Sequence, residues 1–181
     1  MRSTPAAIMI DKFCERAGWL IERALAVAFL VAVCLNFLNV IGRYLLGYTP
    51  SGTDEVQIYI MVWMAFLGAA VVTLRDAHLR MDVLFQRLPA TLRALVRLFE
   101  FAVFLITAGF VALQSFYYVS KMFNLGQVSD LAHIPIWIPH AAVAVGFALM
   151  SLIVLRRAVA FVSSEFIRRK PYGVDRKELA L

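Results

Sequence analysis

The stretch Val56–Leu74 reads VQIYIMVWMAFLGAAVVTL, nineteen residues with no Asp, Glu, Lys or Arg. A helix crosses the ~30 Å hydrocarbon core of a bilayer with ~20 mostly apolar residues, so this run predicts a membrane span. Three further runs meet the same requirement. Ala24–Leu46 carries Asn36, Asn39 and Arg43, Leu98–Val119 has Glu100 near its start, and Trp137–Leu155 has His140 as its one ionisable group. The composition agrees. Of 181 residues 62% are hydrophobic and 17% charged, with a mean hydropathy of +0.78, against ~45–50% and ~25% for a soluble domain. A soluble core of this size could not hide so much apolar surface.

The expected fold is an all-α membrane protein with four transmembrane helices in a single domain, residues 1–181. It divides into an N-terminal segment (1–21), a membrane region (22–157) and a basic tail (158–181). Sixteen of the eighteen Lys and Arg residues fall before span one, in the second loop or after span four; the first and third loops hold one each, Arg43 at the edge of span one and Lys121. Basic residues mark the cytoplasmic side, so both termini are expected there. The net charge of +6 is spread between apolar runs and does not gather on one folded face, which argues against a nucleic-acid partner. Cys14 and Cys34 are isolated and suggest neither a disulfide framework nor a zinc site. The first apolar run is too long for the core of a cleavable signal peptide, so it is expected to remain as the first span.

The loops carry structure of their own. Within His78–Leu88, the apolar residues Met81, Leu84, Phe85 and Leu88 recur at i, i+3, i+4 and i+7. That spacing predicts an amphipathic helix lying flat at the cytoplasmic surface. Pro89 would end it, and Thr91 would cap the third span. His78 and Asp82 share one face of this helix and can hydrogen-bond each other. In the third loop Pro135 and Pro139 favour an extended approach and a helix start, and Trp137 suits the interfacial belt.

No motif of metalloprotease, phosphate-loop or nucleophile-elbow type is present, so no enzyme activity and no cofactor is expected. His78, His133 and His140 fall at different depths and could not jointly ligate one haem, which weighs against a quinone oxidoreductase subunit. A stand-alone four-helix carrier would place ionisable or broken-helix elements near mid-bilayer. Here Glu22, Arg43, Glu55 and Glu100 all sit near span ends. The features that remain suggest docking. Asn36, Asn39 and Arg43 form a polar stripe on span one that should face protein. Gly68-Ala69-Ala70, Gly109 with Ala112, and Ala142-x-x-x-Gly146 would let helices pack closely, chiefly within the four-helix unit. Arg43 and the pair Asp54-Glu55 lie at similar depth, where they could pin the first two spans together or form part of a dock.

The order of these features resembles the small membrane subunit of tripartite ATP-independent periplasmic (TRAP) transporters, the DctQ-type family. The resemblance runs from about Glu22 to Arg157. It rests on Arg43-Tyr44-Leu45 ending span one, Asp54-Glu55 opening span two, and Trp63 and Phe66-Leu67-Gly68-Ala69 within it. Arg75-Asp76-Ala77-His78-Leu79-Arg80-Met81-Asp82 follows, then Leu88-Pro89, and Ile134-Pro135-x-Trp137 opens span four. The chain departs from the family in having Ser51-Gly52-Thr53 where members often place Trp, and Ala77 where Gly often precedes the His. The resemblance implies a subunit embedded in membrane lipid that pairs with a large TRAP membrane subunit. The large subunit would carry the sodium and substrate sites and move as an elevator, while a periplasmic substrate-binding protein delivers an organic acid. The small subunit would act as a stationary scaffold. Asn36, Asn39, Arg43, Asp54, Glu55, Trp63, His78 and Asp82 are its candidate interface or docking residues.

Overall fold

The computed structural model describes residues 5–48, 51–75 and 89–169. Four helices account for nearly all of them: α1 Pro5–Leu45, α2 Thr53–Leu74, α3 Ala90–Leu125 and α4 Trp137–Arg169. Each contains a stretch long and apolar enough to cross a membrane. The flat helix expected over 78–88, with His78 and Asp82, lies outside the described residues.

Three helices are longer than the spans expected from hydropathy. At ~1.5 Å per residue, the 41 residues of α1 reach ~60 Å, twice the hydrocarbon thickness. The 22 residues of α2 give ~33 Å and match one bilayer. Apolar character sets where a helix can sit in lipid, but backbone hydrogen bonding carries α1, α3 and α4 on past that limit. Nothing in Pro5–Arg23, Ala90–Arg97 or Arg156–Arg169 breaks a helix. The cap expected at Thr91 is a correction: α3 begins at Ala90, and Thr91 lies inside it. The capping position is Pro89, extended at φ −60°, ψ 149° with no side-chain cap bond. A proline ring presets φ near −65° and has no N–H to satisfy, so it can open a helix by backbone geometry alone.

The helices stand in a row. The principal contacts are α1 on α2, α2 on α4 and α4 on α3, which gives the spatial order α1–α2–α4–α3. The position of α4 inside the row agrees with its burial. Of its most apolar stretch 28% is buried, against 11% for α1 and for α3 at the two edges. Its inward residues are small, with Ala142, Ala144 and Gly146 all buried. A Cβ on Gly146 would lie 2.7 Å from Phe66 Cβ and 3.0 Å from the Phe66 carbonyl oxygen, so α2 and α4 meet almost backbone to backbone. Close approach through small residues is how membrane helices gain van der Waals contact when lipid offers no hydrophobic drive. Gly68 faces Leu25 of α1 at ordinary contact distance, whereas Gly109 has nothing within 4 Å. The small residues of α2 and α4 therefore pack the row, and Gly109 does not.

Most large apolar side chains on the edge helices point away from the row. On α3, Phe99, Ile106 and Leu113 recur every seven residues and are all exposed. On α1, Val27, Leu30, Phe37 and Leu38 are exposed likewise. Such a surface belongs in lipid or against another membrane helix.

Candidate functional site

The uncharged run of α2 is fastened by polar contacts at both ends. At its start, Asn39 of α1 donates from Nδ2 to Asp54 Oδ1 at 2.5 Å, and Arg43 lies 3.9 Å from the same carboxylate. Both partners of the ion pair are largely exposed, and a pair of that kind contributes only ~0–1 kcal/mol. Asn39 and Arg43 thus reach one acidic residue from successive turns of α1.

Glu55 points elsewhere. Its carboxylate accepts from Ser129 Oγ at 2.6 Å, from the Ala132 N–H at 2.8 Å and from the Leu131 N–H at 3.4 Å. The third loop is shaped to present these donors. Ser129 N–H bonds the Ile134 carbonyl at 2.9 Å and Ile136 N–H bonds the Gln127 carbonyl at 3.0 Å, while Val128 and Pro135 face each other across a bridge. Successive N–H groups aimed at one point form an anion-binding concavity. Here the anion is a side chain of the same protein. Gly52 completes the joint. It caps α2 at φ 92°, and a Cβ there would lie 2.7 Å from Ala132 Cα. With Asp54 and Glu55 in its first turn, α2 also carries negative charge where the helix dipole favours it.

At the other end Arg75 pairs with Glu22 of α1. The Arg157 guanidinium of α4 donates to the Leu74 carbonyl at 2.9 Å, one of the acceptors left open at a helix end. These contacts, with Arg97 lying over the Phe161 ring, bring Glu22 of α1, the end of α2, Arg97 near the start of α3 and the Arg157–Phe161 turn of α4 to one side of the row. The same side gathers Arg23, Arg75, Arg93, Arg97, Arg156 and Arg157.

The expected stripe on α1 is thus divided. Asn39 turns toward α2, Asn36 is exposed beside Gln57 at a shallow groove between α1 and α2, and Arg43 is exposed. Trp63 is half-buried in mid-α2, away from both polar ends. The pairing of Arg43 is with Asp54, and Glu55 is drawn to the third loop. Sequence reasoning missed the Glu55–Ser129 contact and the Arg157 cap, each made across more than seventy residues of chain. Among the described residues no group of three His, Cys, Asp or Glu side chains could hold a metal ion.

Reversing the ion pair tests the first joint. Arg43→Asp should lower the yield of assembled protein several-fold, because it sets a carboxylate against Asp54 beside Asn39. Combining it with Asp54→Arg should restore most of that yield, as measured by size-exclusion recovery in detergent. Combining it instead with Glu55→Arg should restore none, since Glu55 is committed to the loop.

The model of the family described as tripartite ATP-independent periplasmic transporters, DctQ component, matches residues 32–163, the segment that holds all of α2, α3 and the third loop. The chain belongs to this family. A putative TRAP transporter small permease protein of Haemophilus influenzae is 27% identical over 128 residues, which cover 71% of this chain and 78% of that protein. The ectoine TRAP transporter small permease protein TeaB of Halomonas elongata is 26% identical over 151 residues, covering 83% and 78%. The isethionate TRAP transporter permease protein DctMQ of Oleidesulfovibrio alaskensis is 26% identical over 149 residues. These cover 77% of this chain but 24% of that protein, so the chain spans about a quarter of this relative's length. As a TRAP small permease subunit, the DctQ-family chain is a transport component and not an enzyme. It is a multi-pass protein of the bacterial inner membrane.

Proposed function

We propose that this DctQ-family subunit is the fixed scaffold of a TRAP transporter. In this reading it braces a large elevator-type subunit, which carries out sodium-coupled uptake of an organic acid delivered by a periplasmic binding protein. The observation that carries the reading is the combination of family membership with an α2 whose two ends are tied to the other helices and the third loop by polar contacts. The middle of α2 has no ionisable group, and the polar side chains at its two ends bond to other parts of the same chain. A substrate or ion path needs polar groups near mid-bilayer, whereas a brace needs fixed ends and a wide apolar face. A large membrane partner is supported by the isethionate relative, in which a region like this chain sits within a much longer permease protein.

The same reading proposes an orientation. The Arg-rich side of the row would be cytoplasmic, and the Glu55 joint, with the third loop, would face the periplasm. Asn36, Asn39, Arg43, Asp54, Glu55 and Trp63, with His78 and Asp82, are proposed as interface or docking positions. Those at the start of α2 would lie nearest the binding protein. The 1–181 chain would act as one membrane domain with a basic tail from 158.

Co-purification without crosslinker tests the proposal. The tagged chain, extracted in mild detergent from cells that make the whole system, should bring down one large hydrophobic protein in equal amount. Recovery of the chain alone, combined with uptake by that chain in liposomes, would make it an independent carrier.

A further inference from the structure

We propose that the hollow between α1 and α2 is a seat for the large subunit, and that a helix of that partner enters it with an amide or hydroxyl side chain that pairs with Asn36 and Gln57. This seat presupposes the scaffold reading, which supplies the partner, and identifies the face that the partner covers. The hollow has a volume of about 370 Å³. Phe29, Phe37, Met61 and Met64 form its apolar walls, and Asn36 and Gln57 are the two amides in its lining. Asn36 is exposed and Gln57 half-buried. Among the described residues neither amide has a hydrogen-bond partner.

The depth of the amides selects the occupant. Asn39 bonds Asp54 in the first turn of α2. Asn36 lies one turn before Asn39 on α1, and Gln57 one turn beyond Asp54 on α2. The two helices run in opposite directions, so both steps lead ~5 Å into the bilayer from that joint. Gln57 falls within the uncharged run Val56–Leu74. The side chain of Asn36, with a single methylene, is too short to reach back to water as Lys or Arg would. An acyl chain would fit the walls and leave both amides unpaired in hydrocarbon, where an unmade hydrogen bond is costly. A wholly apolar helix has the same defect. A helix bearing Asn, Gln, Ser or Thr satisfies walls and amides together, as such side chains do between membrane helices, and the two Met side chains can adapt to its shape. A second copy could offer Gln114, exposed on α3. The hollow and α3 stand at opposite ends of the row, so that contact is head-to-tail and builds rings or open rows of the chain. A scaffold paired one to one with a large subunit does not build them.

The test uses the full-length chain in cells that make the whole system. The photo-crosslinker p-benzoyl-phenylalanine, placed at Phe37 or at Met61, both exposed walls of the hollow, should join the chain to the large subunit on illumination. Asn36→Leu and Gln57→Leu should each lower the large subunit retained on the tagged chain after dilution in detergent about five-fold, the factor that ~1 kcal/mol for an interhelical hydrogen bond in a membrane implies. Asn36→Gln, which keeps an amide, should retain most of it. Recovery of the chain by itself should be unchanged in all three, because neither amide bonds within the chain. Co-purification of the large subunit with no crosslink from either wall, or with equal retention in both Leu variants, would overturn the seat and leave the scaffold reading standing. Crosslinks to a second copy or to lipid alone would overturn it as well. Absence of the large subunit from the unaltered preparation would remove the scaffold reading, and the seat with it.

Discussion

Gly146→Val should abolish recovery of the folded chain. In the row α1–α2–α4–α3, the α2–α4 contact is the joint that links the α1–α2 pair to the α3–α4 pair. At Gly146 a Cβ would come within 3.0 Å of the Phe66 carbonyl oxygen. That atom is backbone and cannot rotate aside. Replacing a mid-helix Gly by Ala gains ~0.8–1.0 kcal/mol of helix propensity, but overpacking a tight contact costs ~1–3 kcal/mol. Even Gly146→Ala should therefore be a net loss, and the branched side chain of Val should force the two helices apart. The Phe66–Phe147 ring contact, 5.8 Å between centroids, would go with them. The check is the monodisperse fraction on size exclusion after extraction, compared with Gly109→Val as control. Gly109 has open space around it, so that variant should be recovered at near normal yield.

Gly52→Val should release the third loop from α2. Two costs add at this position. A left-handed backbone costs a residue with a Cβ roughly 1–2 kcal/mol, and φ here is 92°. The added carbon would also meet the backbone of Ala132 at 2.7 Å. The joint can relieve this only by moving the start of α2 off the loop, which withdraws Glu55 from Ser129, Leu131 and Ala132. Hydrogen exchange should show it directly. The Leu131 and Ala132 amides should lose protection while amides within α4 keep theirs. Glu55→Ala should give the same pattern without the backbone strain. Unchanged exchange at both amides would mean that the loop is held by something other than Glu55.

The four spans were legible because lipid imposes one strong requirement, and Val56–Leu74 meets it with no charge at all. Family membership was legible for a related reason: punctuation such as Arg43-Tyr44, Asp54-Glu55 and Pro135-x-Trp137 marks where each span meets water. The order of the helices in the row was not legible. Spans apolar all round carry no polar face to say which neighbour each should touch, and the distinction between Gly146 at a contact and Gly109 in the open appears only in three dimensions. The partner of Glu55 was hidden for another reason. Ser129 lies 74 residues away, and two of its three donors are backbone N–H groups that no side-chain pattern announces. Arg43 and Asp54-Glu55 were expected to form one cluster, yet the two carboxylates, adjacent in sequence, diverge on the first turn of α2.

The most direct measurement is uptake in liposomes. The purified chain alone, with a sodium gradient and the binding protein of its own system, should accumulate no organic acid above protein-free vesicles. Adding the large subunit should restore sodium-dependent uptake of the acid that the binding protein carries. Sodium-driven accumulation by the chain alone would contradict the scaffold account and place a transport path within these four helices.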